Sequence, residues 1–185
     1  MIDDIVADSE DRMKKTVEAV QRELMSIRTG HAHVGLVDHV RVDYFGSMLP
    51  VNQLATVAAP EARLITIQPW DRNALSAIEK ALQKSDLGLM PSNDGQMIRL
   101  SIPPLTEQRR KELVKLVHTR IEDGRVSVRN VRRDSLDQVK RLITAKEASE
   151  DDQRKAQDQL QKLTDRYIAV IDQRGRDKEA ELSEV

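Results

Sequence analysis

Arg125, Arg129, Arg132 and Arg133 fall within nine residues of one another, and no lysine lies among them. Guanidinium groups suit bidentate contacts to phosphate oxygens. On a helix, at about 100° per residue, Arg125, Arg129 and Arg132 lie within roughly 60° of one another, with Arg133 beside them. The chemistry on offer is the gripping of a polyanion, and no bond is made or broken. A run of charge also reads as a solvated helix face. Composition alone leaves both readings open.

Other chemistry finds little to hold. The four histidines, His31, His33, His39 and His118, stand at no metal-ligand spacing, and turn or surface roles are expected for them. Seven glycines form no phosphate-cradling loop. The carboxylates Glu150, Asp151 and Asp152 sit where a helix should begin, and its dipole accounts for them. No nucleophile is accompanied by a base, so no enzyme, metal or cofactor is expected. The chain has no cysteine, no signal-peptide pattern and no apolar run of membrane-spanning length, which makes a cytoplasmic protein the expectation. With one Phe, two Tyr and one Trp, a base-stacking platform is not expected, and any nucleic acid should be held through phosphates. Phe45 and Trp70 are expected in the core of a small module.

The arginines need a rigid support. Between Glu107 and Ala145 eleven Lys or Arg face six Asp or Glu, while the whole chain carries a net charge of −1. Pro103 and Pro104 cannot lie inside a helix, Thr106 can cap one, and no proline follows. Leu113, Val117, Ile121, Gly124, Val128, Val131, Ser135, Val139 and Leu142 recur at helical spacing. A single helix of about 39 residues, roughly 60 Å long, follows from the 1.5 Å rise per residue. Before it, Val6, Met13, Val17, Val20, Leu24 and Ile27 mark a helix from Ile2 to Arg28, with Gly30 in the left-handed position just past its end. After it, Ser149 and Asp152 suggest a capping box, and Leu160, Leu163, Tyr167, Val170 and Ile171 supply a third apolar seam.

From His31 to Ile102 the period is two. Val40, Val42 and Tyr44, and later Ile98, Leu100 and Ile102, alternate with polar residues as strands do. Between them the sequence implies a turn at Phe45-Gly46-Ser47, apolar runs at Leu54 to Val57 and Leu64 to Ile67, and a helix from Asn73 to Lys84. The expected fold is α+β: an elongated three-helix bundle, residues 1–30 and 105–185, with a small β-rich α/β domain, residues 31–104, inserted between its first two helices. Two chain crossings join the parts, and Gly30, His31, Pro103, Pro104, Leu105 and Thr106 form the expected hinge. The runner-up to a phosphate-binding role is a structural adaptor whose apolar seams recruit another helix.

Several separated motifs, in order along the whole chain, give it a close resemblance to the bacterial ribosome recycling factor family. They are Ser26-Ile27-Arg28-Thr29-Gly30, Ser85-Asp86-Leu87-Gly88-Leu89, Ile98-Arg99-Leu100 leading into Pro103-Pro104-Leu105-Thr106-Glu107, Arg109-Arg110-Lys111-Glu112-Leu113, Val128-Arg129-Asn130-Val131-Arg132-Arg133-Asp134 and Lys178-Glu179-Ala180-Glu181-Leu182. His31 and Phe45 stand where the family commonly has arginine and tyrosine. The resemblance implies an L-shaped, monomeric, non-catalytic translation factor that binds the post-termination ribosome. With elongation factor G, which uses the GTP, such a factor splits the ribosome into subunits. It further implies that Arg110, Arg129 and Arg132 contact large-subunit ribosomal RNA, with Arg28, Arg125 and Arg133 near it, and that the inserted module faces the elongation factor.

Overall fold

Asp3 and Asp4 in the first turn and Arg22 in the last complement the helix dipole, and α1 spans Ile2–Met25 in the computed structural model, which describes residues 1–184. The expected continuation to Arg28 does not form. The Ser26 hydroxyl donates to the Glu23 carbonyl at 2.6 Å, and Ile27 N–H reaches only back to Leu24. A serine that bonds nearby backbone competes with the helical ladder. Ile27 is nonetheless buried. Gly30 is left-handed, with φ +76°, but it lies beyond Thr29 and does not cap the helix.

The chain divides into two compact units, one of Met1–Arg28 with Thr106–Val185 and the other of Thr29–Leu105. In the first, the long basic helix is α3, Glu107–Thr144, whose 38 residues reach about 57 Å. Thr106 Oγ1 accepts from Arg109 N–H at 3.1 Å. Every member of the expected stripe from Leu113 to Val139 is buried. The last helix, α4, spans Glu150–Ser183, and the Ser149–Asp152 capping box forms in full.

α3 packs against both other helices, and glycine sets how closely. A Cβ on Gly124 would stand 2.6 Å from Val20 Cγ2 of α1 and 3.4 Å from Ile171 Cδ1 of α4. One on Gly175 of α4 would stand 2.8 Å from Ile121 Cγ1. Glycine inside a helix costs about 1 kcal/mol against alanine, and here the space admits nothing larger. Deeper in the bundle, Ser9 and Ser135 share a buried hydrogen bond. Ser9 donates its own proton to the Ile5 carbonyl at 2.8 Å, so Ser135 is the donor between the two hydroxyls.

In the second unit β1 (Arg41–Tyr44) and β2 (Ser47–Pro50) form an antiparallel hairpin, while β3 (Ala55–Glu61), β4 (Leu64–Pro69), β5 (Pro91–Asn93) and β6 (Ile98–Ser101) form an antiparallel sheet in the order β3-β4-β6-β5. α2 spans Leu75–Lys84 after a 3-10 turn at Arg72–Ala74, so the expected start at Asn73 is one short turn early. β2 and β5 are strands that alternation did not reveal. Val42, Ile65, Ile67, Ile78, Leu82, Ile98 and Leu100 fill the core.

Phe45 and Trp70, expected in that core, are 83% and 66% exposed. Phe45 and Gly46, with φ of 50° and 83°, are the two central residues of the hairpin turn, and the tip of a hairpin has nothing to pack under. Trp70 follows the end of β4 and donates its indole N–H to Thr56 Oγ1 at 2.8 Å. Branched aliphatic side chains already close the interior.

Gly124→Ala should therefore lower stability by about 1–3 kcal/mol despite the better helix propensity of alanine, read as a shift in urea midpoint at unchanged slope. In the turn before β6, Asp94 accepts from Gln96 N–H and Met97 N–H and meets Arg99 at 3.0 Å. Those bonds, backbone first, hold its pKa down to about 2. Because the folded pKa is depressed, the contribution is complete above the ordinary carboxylate range and is lost as pH falls through about 2. Carboxyl NMR titration of the chain should show Asp94 ionising well below its neighbours.

Candidate nucleic-acid interface

The buried stripe of α3 fixes where its arginines point. Gly124, Val128 and Val131 face inward, which turns Arg125 and Arg132 toward α4 and Arg129 and Arg133 outward from the same edge. Glu122, which the sequence reading passed over, stands on this edge too, three residues before Arg125.

The arginines differ in what holds them. Arg125 is held by carboxylates: its Nε donates to Asp172 Oδ1 at 2.7 Å, its NH2 lies 2.6 Å from the same oxygen, and its NH1 lies 3.0 Å from Glu122. The bond to Asp172 above all, then that to Glu122, raises its pKa further. Its charge is matched twice. Arg129 meets the far side of Glu122, at 3.6 Å, and is half exposed.

Arg132 and Arg133 are held by neutral groups. Arg132 NH1 donates to Gln161 Oε1 of α4 at 2.7 Å, and the Gln161 amide donates onward to Asp165 at 2.9 Å. Arg133 NH2 donates to Asn130 Oδ1 at 3.1 Å. An amide oxygen orients a guanidinium without cancelling its charge. These two arginines are therefore aimed, and neither meets a carboxylate in an ion pair among the described residues.

Arg110 lies further up the same helix, half-buried, with its Nε shut off from solvent and without a partner. Arg28 is exposed at the last position of the bundle unit's first segment. The opposite edge of α3 is a different surface: Arg12 pairs with Asp134 at 3.1 Å and Arg120 with Glu23 at 3.7 Å, tying α1 to α3.

The six expected hinge residues all lie at the two crossings. Thr29 and Leu105 bound the small unit, so Gly30, His31, Pro103, Pro104 and Leu105 belong to it and Thr106 begins the bundle's return. A Cβ on Gly30 would meet Leu105 Cγ at 3.1 Å, so the entering and leaving segments touch there. Ala32 N–H and Ile102 N–H bond to the carbonyls of Ala62 and Arg63, at 2.7 and 2.9 Å, which anchors both segments to the β3–β4 turn. His31 Nδ1 lies 3.3 Å from Thr29 Oγ1.

Two histidines have carboxylate partners distant in sequence: His39 meets Asp86 at 2.9 Å, and His118 meets Glu179 of α4. Both pairs are exposed. Among the described residues no group of three His, Cys, Asp or Glu side chains is placed to hold a metal, and no helix is long and apolar enough to cross a membrane.

The family model described as Ribosome recycling factor matches residues 20–182. The chain is 54% identical to ribosome-recycling factors of Thermomicrobium roseum and of Dehalococcoides mccartyi, over the full length of both partners in each case. Among solved structures it is similar to a ribosome recycling factor determined in solution, at 44% identity, a TM-score of 0.78, and coverage of 100% of this chain and 98% of that one. It is also similar, at 44% identity, a TM-score of 0.64 and full coverage of both, to a chain of models for the T. thermophilus ribosome recycling factor and the E. coli elongation factor G bound to the E. coli post-termination complex.

The contrast in partners predicts a contrast in stability. Arg125→Ala leaves Asp172 and Glu122 facing a gap and should cost about 1 kcal/mol after solvent screening, whereas Arg133→Ala should stay within about 0.5 kcal/mol of the parent. Urea unfolding of the two variants side by side checks both values.

Proposed function

The chain belongs to the ribosome recycling factor family, a family of non-catalytic translation factors, and on that premise we propose how its parts divide the work. It acts on the post-termination ribosome together with elongation factor G, a reading supported by the assembly in which its T. thermophilus relative is placed. The bundle unit grips phosphates of large-subunit ribosomal RNA through the outward edge of α3. Arg129, Arg132 and Arg133 make the contacts, with Arg110 further up the helix. Arg125 holds α3 to α4 and keeps the edge straight, and Arg28 adds charge beside the crossing. The chain acts as a cytoplasmic monomer, needs no cofactor, and leaves GTP hydrolysis to its partner.

One observation carries this reading: Arg132 and Arg133 are oriented by amides at 2.7 and 3.1 Å, so their rotamers are set in advance and their charge remains available. An edge meant only for solubility needs neither property. Prior ordering reduces the entropy lost when a phosphate arrives.

Recycling then follows from differential affinity. A stiff α3 that binds RNA shifts the ribosome toward whichever state accommodates the rod best, by no more than the difference in binding energy. The small unit, joined through Gly30-His31 and Pro103-Pro104, receives displacement from the elongation factor. Two crossings limit its freedom more than one would, so part of that displacement reaches the rod and the contacts between subunits.

Arg132→Ala should weaken sedimentation with vacant ribosomes several-fold and lower the slope of log affinity against log salt by about one unit or less. Subunit splitting with elongation factor G and GTP should fall in step. Unaltered affinity and slope would count against the edge as the RNA contact. Ribosome-independent capture of a helical protein would favour an adaptor.

A further inference from the structure

A groove of about 740 Å³ runs through the small unit between β1 and α2. One wall is the outer edge of β1. In a two-residue hairpin the residues flanking the turn, Tyr44 and Ser47, form a hydrogen-bonded pair. Alternation then puts Val42 and Leu49 in the same class, and Val40 with Val51, as the 3.3 Å bond from Val51 N–H to the Val40 carbonyl bears out. Arg41 and Asp43 must therefore turn their N–H and C=O groups away from β2. Among the described residues β1 has no second strand neighbour, α2 packs on β1, and Arg41 and Asp43 both line the groove.

The other wall is one face of α2. Ala77 and Ala81 keep it low, and Lys80 and Lys84, one turn apart, stand along it. Lys80, Lys84 and Arg41 are exposed and have no ion-pair partner among the described residues. The groove also holds two acids, Asp43, which accepts from Gly46 N–H at 3.1 Å, and Asp86, which faces His39 at 2.9 Å; both keep their charge, and three cations outnumber them by one. A positive excess remains beside an unpaired strand edge.

We propose that this groove takes an extended acidic segment of a partner protein, which adds to β1 as a third strand and sets its carboxylates against Lys80, Lys84 and Arg41. Strand addition draws affinity from main-chain hydrogen bonds and selectivity from alternate side chains. The edge offers donors and acceptors in alternation, which a polypeptide backbone matches. The phosphodiester groups of a nucleic acid supply acceptors only, and its ribose hydroxyls do not repeat at the spacing of a strand edge. The groove contributes nothing to the RNA contacts assigned to α3, so either proposal can fail alone.

The test titrates the full chain into a fluorescein-labelled decapeptide of alternating Glu and Thr at low salt, reading anisotropy. The expected result is saturable binding that weakens with added salt. Binding should fall roughly tenfold when alternate backbone nitrogens of the peptide are methylated, and roughly tenfold for a Lys80→Gln/Lys84→Gln chain of unchanged helicity. In the complex, the amide hydrogens of Arg41 and Asp43 should exchange more slowly. Absence of saturable binding, equal binding of the methylated peptide, or tighter binding of a ten-nucleotide RNA at the same lysines would each overturn the proposal.

Discussion

Everything in the bundle unit depends on how closely α1 and α4 approach α3 at Gly124, where Val20 and Ile171 occupy the space a side chain would fill. Gly175 repeats the arrangement from α4 toward Ile121. Close approach at mid-length means that a shift of α3 along its axis would drive these side chains into backbone. Packed interiors are bistable and do not deform continuously. The rod is thereby stiff for a structural reason, and stiffness is what a helix must have if its edge is to present several charges in one register.

Electrostatics then separates the two edges of α3. On the side of α1, acids and bases meet in pairs that join helices, Arg12 with Asp134 and Arg120 with Glu23. On the side of α4, Arg125 is matched by two carboxylates, while Arg132 and Arg133 lean on amides. Exposed ion pairs contribute little to stability at ordinary salt. Their arrangement matters more for where net positive potential is left, and it is left at the outward face beyond Arg125.

The small unit follows another logic. Its core is closed by branched aliphatic side chains on the sheet, the hairpin and α2. Both crossings are fastened to a single turn, at Ala62 and Arg63. With its interior full, the unit sets Phe45 at a hairpin tip, where the Tyr44 ring meets it edge-on at 4.6 Å, and leaves one strand edge of β1 open.

Much of this was legible in the sequence, because periodicity is a local property. The 3-4 spacing from Leu113 to Val139, the Thr106 and Ser149 caps and the alternation at Val40 to Tyr44 each depend on neighbours within a turn or a pleat, and each formed as read. The end of α1 was missed by three residues because a single serine hydroxyl outweighed continued apolar spacing. The family was legible too, since its motifs are stretches of chain. What the sequence could not give was which charges remain available. Asp172 lies 47 residues from Arg125 and Gln161 lies 29 from Arg132, so only packing of α4 on α3 decided that one arginine is neutralised and the other merely aimed. The exposure of Phe45 and Trp70 was decided in the same way: an aromatic side chain is buried only if the assembled core has room for it, and that volume belongs to the tertiary structure.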